Sequence, residues 1–128
     1  MGCVHQLEEL AVPLFEEEFP EAFDEGRRPG LTWGRRGRSR AKRSLLLGSY
    51  CAETDTVRIH PVLDRDWVPA WFVRYILFHE LLHAVLPRAH GHHGPAFRAR
   101  ERAYPDFTRA RNWQRTHLPR LIREARRG

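Results

Sequence analysis

No stretch of the sequence holds the run of about eighteen apolar residues that a membrane-spanning helix needs, and the amino end lacks a basic region followed by an apolar one. The expected setting is therefore cytoplasmic, with no membrane partner. Cysteine is scarce as well. Cys3 and Cys51 stand far apart without CxxC spacing, which argues against a disulfide framework or a cysteine zinc ribbon and leaves two reduced thiols. No internal repeat is present, and the one compositional bias is towards arginine. Charge of one sign is missing from whole segments: residues 1–26 hold eight acids and no Lys or Arg, whereas residues 27–43 hold eight bases and no acid. Residues 88–128 are basic again, with eleven bases against three acids. Such segregation suits an acidic start packed beside a basic patch, basic segments facing a polyanion, or a solvated arginine-rich surface.

In QLEELAVPLFEEEFPEAF, Leu7, Leu10, Leu14, Phe15 and Phe19 recur at three- and four-residue spacings, which predicts an amphipathic helix bent or restarted near Pro13. The period then shortens. LTWGR (31–35), SLLLGSY (44–50) and TVRIHP (56–61) read as three short strands, the first two separated by a basic, glycine-containing hairpin loop and the third preceded by the turn residues ETD. Asp64 or Asp66 is expected to cap the next helix, Pro69 suits its first turn, and Ala70 to Leu86 runs helical until Pro87. That helix is apolar nearly all round and should be buried. After the polar loop RAHGHHG, Pro95 can start a short helix that Pro105 closes. A last helix from about Phe107 follows, broken or kinked at Pro119. One helix, three strands and three helices predict a single small α+β domain over residues 1–128.

The most apolar stretch, WFVRYILFHELLHAVLP, contains HELLH. His79 and His83 lie four residues apart and project from one face of a helix, where two imidazoles can hold one Zn²⁺ at about 2.0–2.1 Å. Glu80 falls on the neighbouring face. A carboxylate there sits too far round to ligate the metal, yet close enough to act as general base towards its bound water. Burying these three side chains without partners would cost several kcal/mol; a metal in a solvent-lined cleft removes that difficulty. Met1 is the sole methionine, which excludes the methionine turn of the metzincins. A catalytic zinc wants a third protein ligand, and the candidates are His90, His92, His93 and Glu101. Glu101 follows His83 by eighteen residues, a spacing compatible with a glutamate ligand on the next helix. His93 opens HGPAF, where Gly94 turns the chain and Pro95 begins a helix.

HELLH followed by HGPAF resembles the HExxH…HGxxF pattern of SprT-like zinc metallopeptidases, the family that includes the Spartan-type DNA–protein crosslink proteases. The resemblance covers about residues 5–115. It takes in a leading helix that ends in an aromatic such as Phe19 or Phe23, then LTWG, LLLGSY, VRIHPVLD and FRARERAYPDF. It implies a minimal zincin-like domain with an N-terminal helix, a small three-stranded sheet, a buried HExxH helix and C-terminal helices. It further implies one catalytic zinc held by His79, His83 and His93, with Glu80 as catalytic acid/base. Leu82 stands inside the motif where many members carry a cysteine, and no zinc ribbon follows in these residues. Those departures bear on a DNA-repair role and leave the peptidase core intact.

The expected function is hydrolysis of peptide bonds in protein or peptide substrates by a monomer. Glu80 would take a proton from the attacking water and later protonate the leaving amine. His90, His92 and Tyr104 are candidates for stabilising the oxyanion. His5 and His60 read as structural or surface groups, and Trp33, Trp67, Trp71 and Trp113 as packing residues. The arginine-rich segments 35–43 and 98–127 make DNA a candidate recruiter, because clustered arginines neutralise phosphates and release counterions. A reading from a different class is a non-catalytic nucleic-acid- or protein-binding module with a structural zinc, which would have no use for Glu80. A third is a free-standing toxin or processing enzyme with the same metal chemistry.

Overall fold

Pro13 removes a backbone donor from the first helix, and the computed structural model of the chain, which describes residues 4–23, 26–35, 45–86 and 94–127, shows the consequence. Helix α1, Leu7–Pro13, passes straight into a π-helical turn at Leu14–Glu18, so the expected bend takes the form of a change in helix type. Leu7, Leu10, Ala11, Leu14 and Phe15 face inward along this unit, while Glu8, Glu9, Glu16 and Glu17 stay exposed.

Strands β1 (Gly30–Trp33), β2 (Gly48–Cys51) and β3 (Thr56–Ile59) form a mixed sheet in the order β1-β3-β2. β3 runs parallel to β1, with Gly30 opposite Thr56, and antiparallel to β2, with Gly48 opposite Ile59. The expected hairpin between the first two strands is therefore corrected. β1 and β2 are not neighbours, and the hairpin joins β2 to β3 through residues 52–55. Its turn is local and cheap to close: Asp55 adopts φ 48°, which a short polar side chain tolerates, and Tyr50 Oη donates to Asp55 Oδ1 at 2.6 Å. Along β3 the side chains alternate, Val57 and Ile59 fully buried and Arg58 exposed, so one sheet face serves the core.

That face meets α2, Ala70–Val85. Phe72, Val73, Leu77, Phe78, Leu81 and Leu82 are all buried, as the all-round apolar pattern predicts. The Phe78 ring stacks between Phe19 at 5.5 Å and Tyr104 at 4.2 Å, tying α2 to the end of the first helical unit. Helix α3 spans Pro95–Ala103 and α4 spans Phe107–Arg127. Pro119 does not break α4; it lies on the exposed side of the helix. Trp113 packs on Phe72 at 4.3 Å and stacks with Trp67 at 5.8 Å, in keeping with packing roles for these indoles. Among the described residues no helix is long and apolar enough to cross a membrane.

Neither Asp64 nor Asp66 caps α2, whose N-cap residue is Pro69. Asp64 instead clamps the amino-terminal segment. Its Oδ1 accepts from the backbone N–H groups of Val4 at 2.8 Å and His5 at 2.9 Å, while His5 Nε2 donates to the Val68 carbonyl at 2.8 Å. His60 is structural too, its Nδ1 accepting from Val62 N–H at 3.0 Å to cap the short 3₁₀ turn Pro61–Leu63. Asp64→Ala leaves two donors without their acceptor and is expected to cost about 2 kcal/mol, a fall in Tm of roughly 8 °C. Asp64→Asn, which keeps an acceptor oxygen, should retain most of the stability; equal melting of Asp64→Ala and wild type in a thermal scan would contradict the clamp.

Candidate metal centre

One strip of α2 is polar. His79 and His83, one turn apart, place their ring centroids 5.1 Å from each other at an interplanar angle of 77°. Phe97, from the first turn of α3, packs against both, 5.1 Å from the His79 ring and 4.5 Å from the His83 ring. This buried phenylalanine, the last residue of HGPAF, therefore forms the wall behind the histidine pair. The local sequence sets it there: Gly94 is the extended N-cap residue of α3 and Pro95 its first helical residue.

Glu101, one turn further along α3, bonds through Oε2 to His79 Nδ1, and the Tyr75 hydroxyl donates to the same oxygen at 3.1 Å. Burial pushes the Glu101 carboxyl upward, but the His79 hydrogen bond and charge, the Tyr75 hydroxyl and the Arg111 guanidinium outweigh it and hold the group below the usual carboxylate range. An ionised carboxylate only accepts, so His79 Nδ1 is the donor of this bond, and Nε2 is the nitrogen that a metal would use. Tyr75 is held as a protonated donor, its phenol pushed well up first by burial and then by the neighbouring carboxylate.

Glu80 is 7% exposed and lies against the start of β2. A Cβ placed on Gly48 would come within 2.9 Å of Ile76 Cγ2, 3.0 Å of Glu80 Cγ and 3.1 Å of Glu80 Oε2. Glycine is required there because strand backbone and helix touch at the carboxylate. Two clefts meet at His79. One, of about 200 Å³, reaches Glu80 and His79 between Leu45–Leu47 and Ile76. The other, of about 310 Å³, lies on the far side of His79 beneath α3 and α4.

His79, Glu80 and His83 thus share one strip of α2, and Glu101 joins them through His79. His90, His92 and His93 lie outside the described residues. Among the described residues no group of three His, Cys, Asp or Glu side chains is placed to hold a metal, and the Glu101 carboxylate is engaged with His79 Nδ1. Tyr104, a candidate for oxyanion stabilisation from sequence, lines neither cleft. It stacks in the core on Phe78, and burial pushes its phenol up to about 12. Sequence reasoning missed Gly48 as the floor of Glu80 and Tyr75 as a partner of Glu101. The second was findable, since Tyr75, His79 and His83 follow one another at four-residue intervals along one helix face.

Comparison of the chain with protein-family models, with curated proteins and with solved structures finds no match in any of the three.

The close approach at Gly48 has a measurable consequence. Gly48→Ala forces Ile76 and Glu80 to shift and is expected to destabilise by about 1–3 kcal/mol, whereas Ser49→Ala next to it should stay within about 0.5 kcal/mol. Denaturant unfolding of the two variants measures both values, and a Gly48→Ala protein as stable as wild type would sink the contact.

Proposed function

We propose that this protein is a zinc-dependent peptidase with a SprT-like, zincin-like core that hydrolyses peptide bonds of protein substrates. The observation that carries the reading is the buried Glu80 carboxylate, seated between the start of β2 and the His79/His83 strip. A module with only a structural metal has no use for a carboxylate buried at that place. The donor set suits zinc: two imidazoles on one helix face, one with its tautomer set by a carboxylate that is itself hydrogen-bonded. His79 and His83 would be ligands, His93 the third, and Glu101 the partner that orients His79. When bound, zinc supplies a Lewis acid that lowers the pKa of water to about 7 and polarises a carbonyl.

The chain's own residues do the rest. Glu80 takes the proton from the attacking water, holds it in a position screened from solvent, and returns it to the departing amine nitrogen. The Glu101–Tyr75 pair keeps the His79 ring from rotating, because each bond is directional and both end on one oxygen. Among the described residues the outer edge of β2 has no strand partner, and this edge starts at the residue that touches Glu80. An extended peptide added there would lay its backbone beside the carboxylate. DNA as a recruiter draws less support from the aromatic residues. Trp71 and Trp67 are each covered by an arginine of α4, Arg109 at 3.8 Å and Arg120 at 3.9 Å, so neither presents a bare stacking platform.

Wild type and Glu80→Gln should each bind about one equivalent of zinc, with cleavage of an unfolded protein falling about 10²- to 10⁴-fold in the variant. If zinc-loaded wild type cleaves neither an unfolded substrate nor itself, with or without DNA, the peptidase reading fails. The ligand assignment has a separate check in metal titration. Glu101→Ala should weaken zinc binding about 10- to 100-fold yet still fill at saturating metal, as expected for a residue that orients a ligand. His93→Ala should lose the site; the reverse pattern would make Glu101 the ligand.

A further inference from the structure

The cleft on the α3–α4 side of His79 is lined by three arginines, Arg98 and Arg102 from α3 and Arg111 from α4, together with Phe107 and one acid, Glu101. That carboxylate is already engaged by His79 and Tyr75. Arg98 and Arg102 stand four residues apart, so two like charges share one helix face, an arrangement that opposes the helix unless an anion lies between them. Among the described residues the arginine ion pairs involve Arg65, Arg109 and Arg120. Arg111 is engaged with Tyr75 and Glu101, whereas Arg98 and Arg102 are exposed cationic donors with no ion pair among those residues.

The second cleft has an apolar wall of Leu45, Leu46, Leu47 and Ile76 beside polar lining from His79, Glu80, Arg111 and Gln114, and Leu46 remains 74% exposed. His79 and Arg111 belong to both clefts, so the arginine-lined half and the half with the leucine wall meet at the candidate catalytic centre. A polypeptide crossing this centre would set one side chain in each half.

We propose that the site selects peptides carrying an aspartate or glutamate on one side of the scissile bond, held by Arg98, Arg102 and Arg111, and an apolar residue on the other side, against the leucine wall. The selectivity rests on the peptidase reading above. Guanidinium forks match a carboxylate in two parallel hydrogen bonds, and three arginines lining one small cleft suit a single compact anion. A nucleic-acid backbone asks instead for cations spaced along a track, and its phosphates gain nothing from an apolar wall.

Two measurements test this. In the first, zinc-loaded wild type digests a peptide library and the cut sites are read by mass spectrometry. Asp and Glu should be enriched several-fold at one fixed position on one side of the cut, with Leu, Ile or Phe enriched across it. The double variant Arg98→Glu/Arg102→Glu should exchange the acidic preference for Lys and Arg. In the second, fluorescence anisotropy follows a labelled peptide bearing that acid on zinc-loaded Glu80→Gln. It should bind about tenfold tighter than its amide counterpart, a gap that closes in the triple variant Glu80→Gln/Arg98→Glu/Arg102→Glu. Cleavage without acidic preference overturns the subsite and leaves the peptidase reading standing. Absence of cleavage with arginine-dependent binding of the acidic peptide removes the peptidase reading and keeps the subsite. Binding indifferent to the acid overturns the subsite, and so does a single-stranded oligonucleotide that displaces the peptide more strongly than free acidic peptide does, which would assign the cleft to nucleic acid.

Discussion

A helix that is apolar on nearly every side has to be enclosed, and the enclosure of α2 sets the positions of the other elements. The first helical unit, the inner face of the sheet and α4 each cover part of it, leaving Phe72, Leu77 and Leu81 with no exposure at all. Along the strip of His79, Glu80 and His83 two clefts open at His79, one of them reaching Glu80. A carboxylate on that strip is largely withdrawn from water and held on a rigid support, the two conditions under which a general base works well. Packing and chemistry are therefore aspects of one constraint: the close fit that stabilises α2 also determines where Glu80 can be.

At one point that fit sets strand backbone against side chain. At Gly48 the strand comes so near α2 that a single methyl group would collide with Ile76 and Glu80. On the other side of the strip the restraint is polar, with Tyr75 and Glu101 fixing the His79 ring. Steric contact orients the carboxylate while directional hydrogen bonds orient the imidazole, which matches the geometric tolerance of each group. In the proposed roles a ligand ring would have to present one nitrogen, whereas a base would need only to stay within reach of a proton.

The segregated charge finds an outlet that does not depend on ion pairs. Arg74 donates to the Leu10 carbonyl at 2.9 Å, Arg100 to the Glu18 carbonyl at 3.2 Å, and Arg28 and Arg100 lie over the rings of Phe15 and Phe19. Arginines do pack beside the acidic start, as one reading of the charge pattern expected. They use its backbone and aromatic rings, to which a weakly hydrated planar cation is well suited.

Local signals carried much of the architecture. The three- and four-residue periodicity, the prolines at 13 and 95, and the alternation in TVRI each act through a few neighbouring dihedrals, so the elements they specify are readable in the chain itself. HELLH is equally local, because helix geometry alone puts His79 and His83 on one face. Which strands pair was not legible: the turn after β2 and the position of β1 across β3 depend on closing loops of different length, and short strands carry no address for their partners. Asp64 has the residue type of a helix cap, yet its acceptor oxygen serves residues about sixty positions away. Likewise the spacing from His83 to Glu101 fits a ligand and an orienting carboxylate equally well. Only the docking of α3 on α2 brings Glu101 to His79 Nδ1 and Phe97 to both rings, since a contact between helices exists only once both are packed.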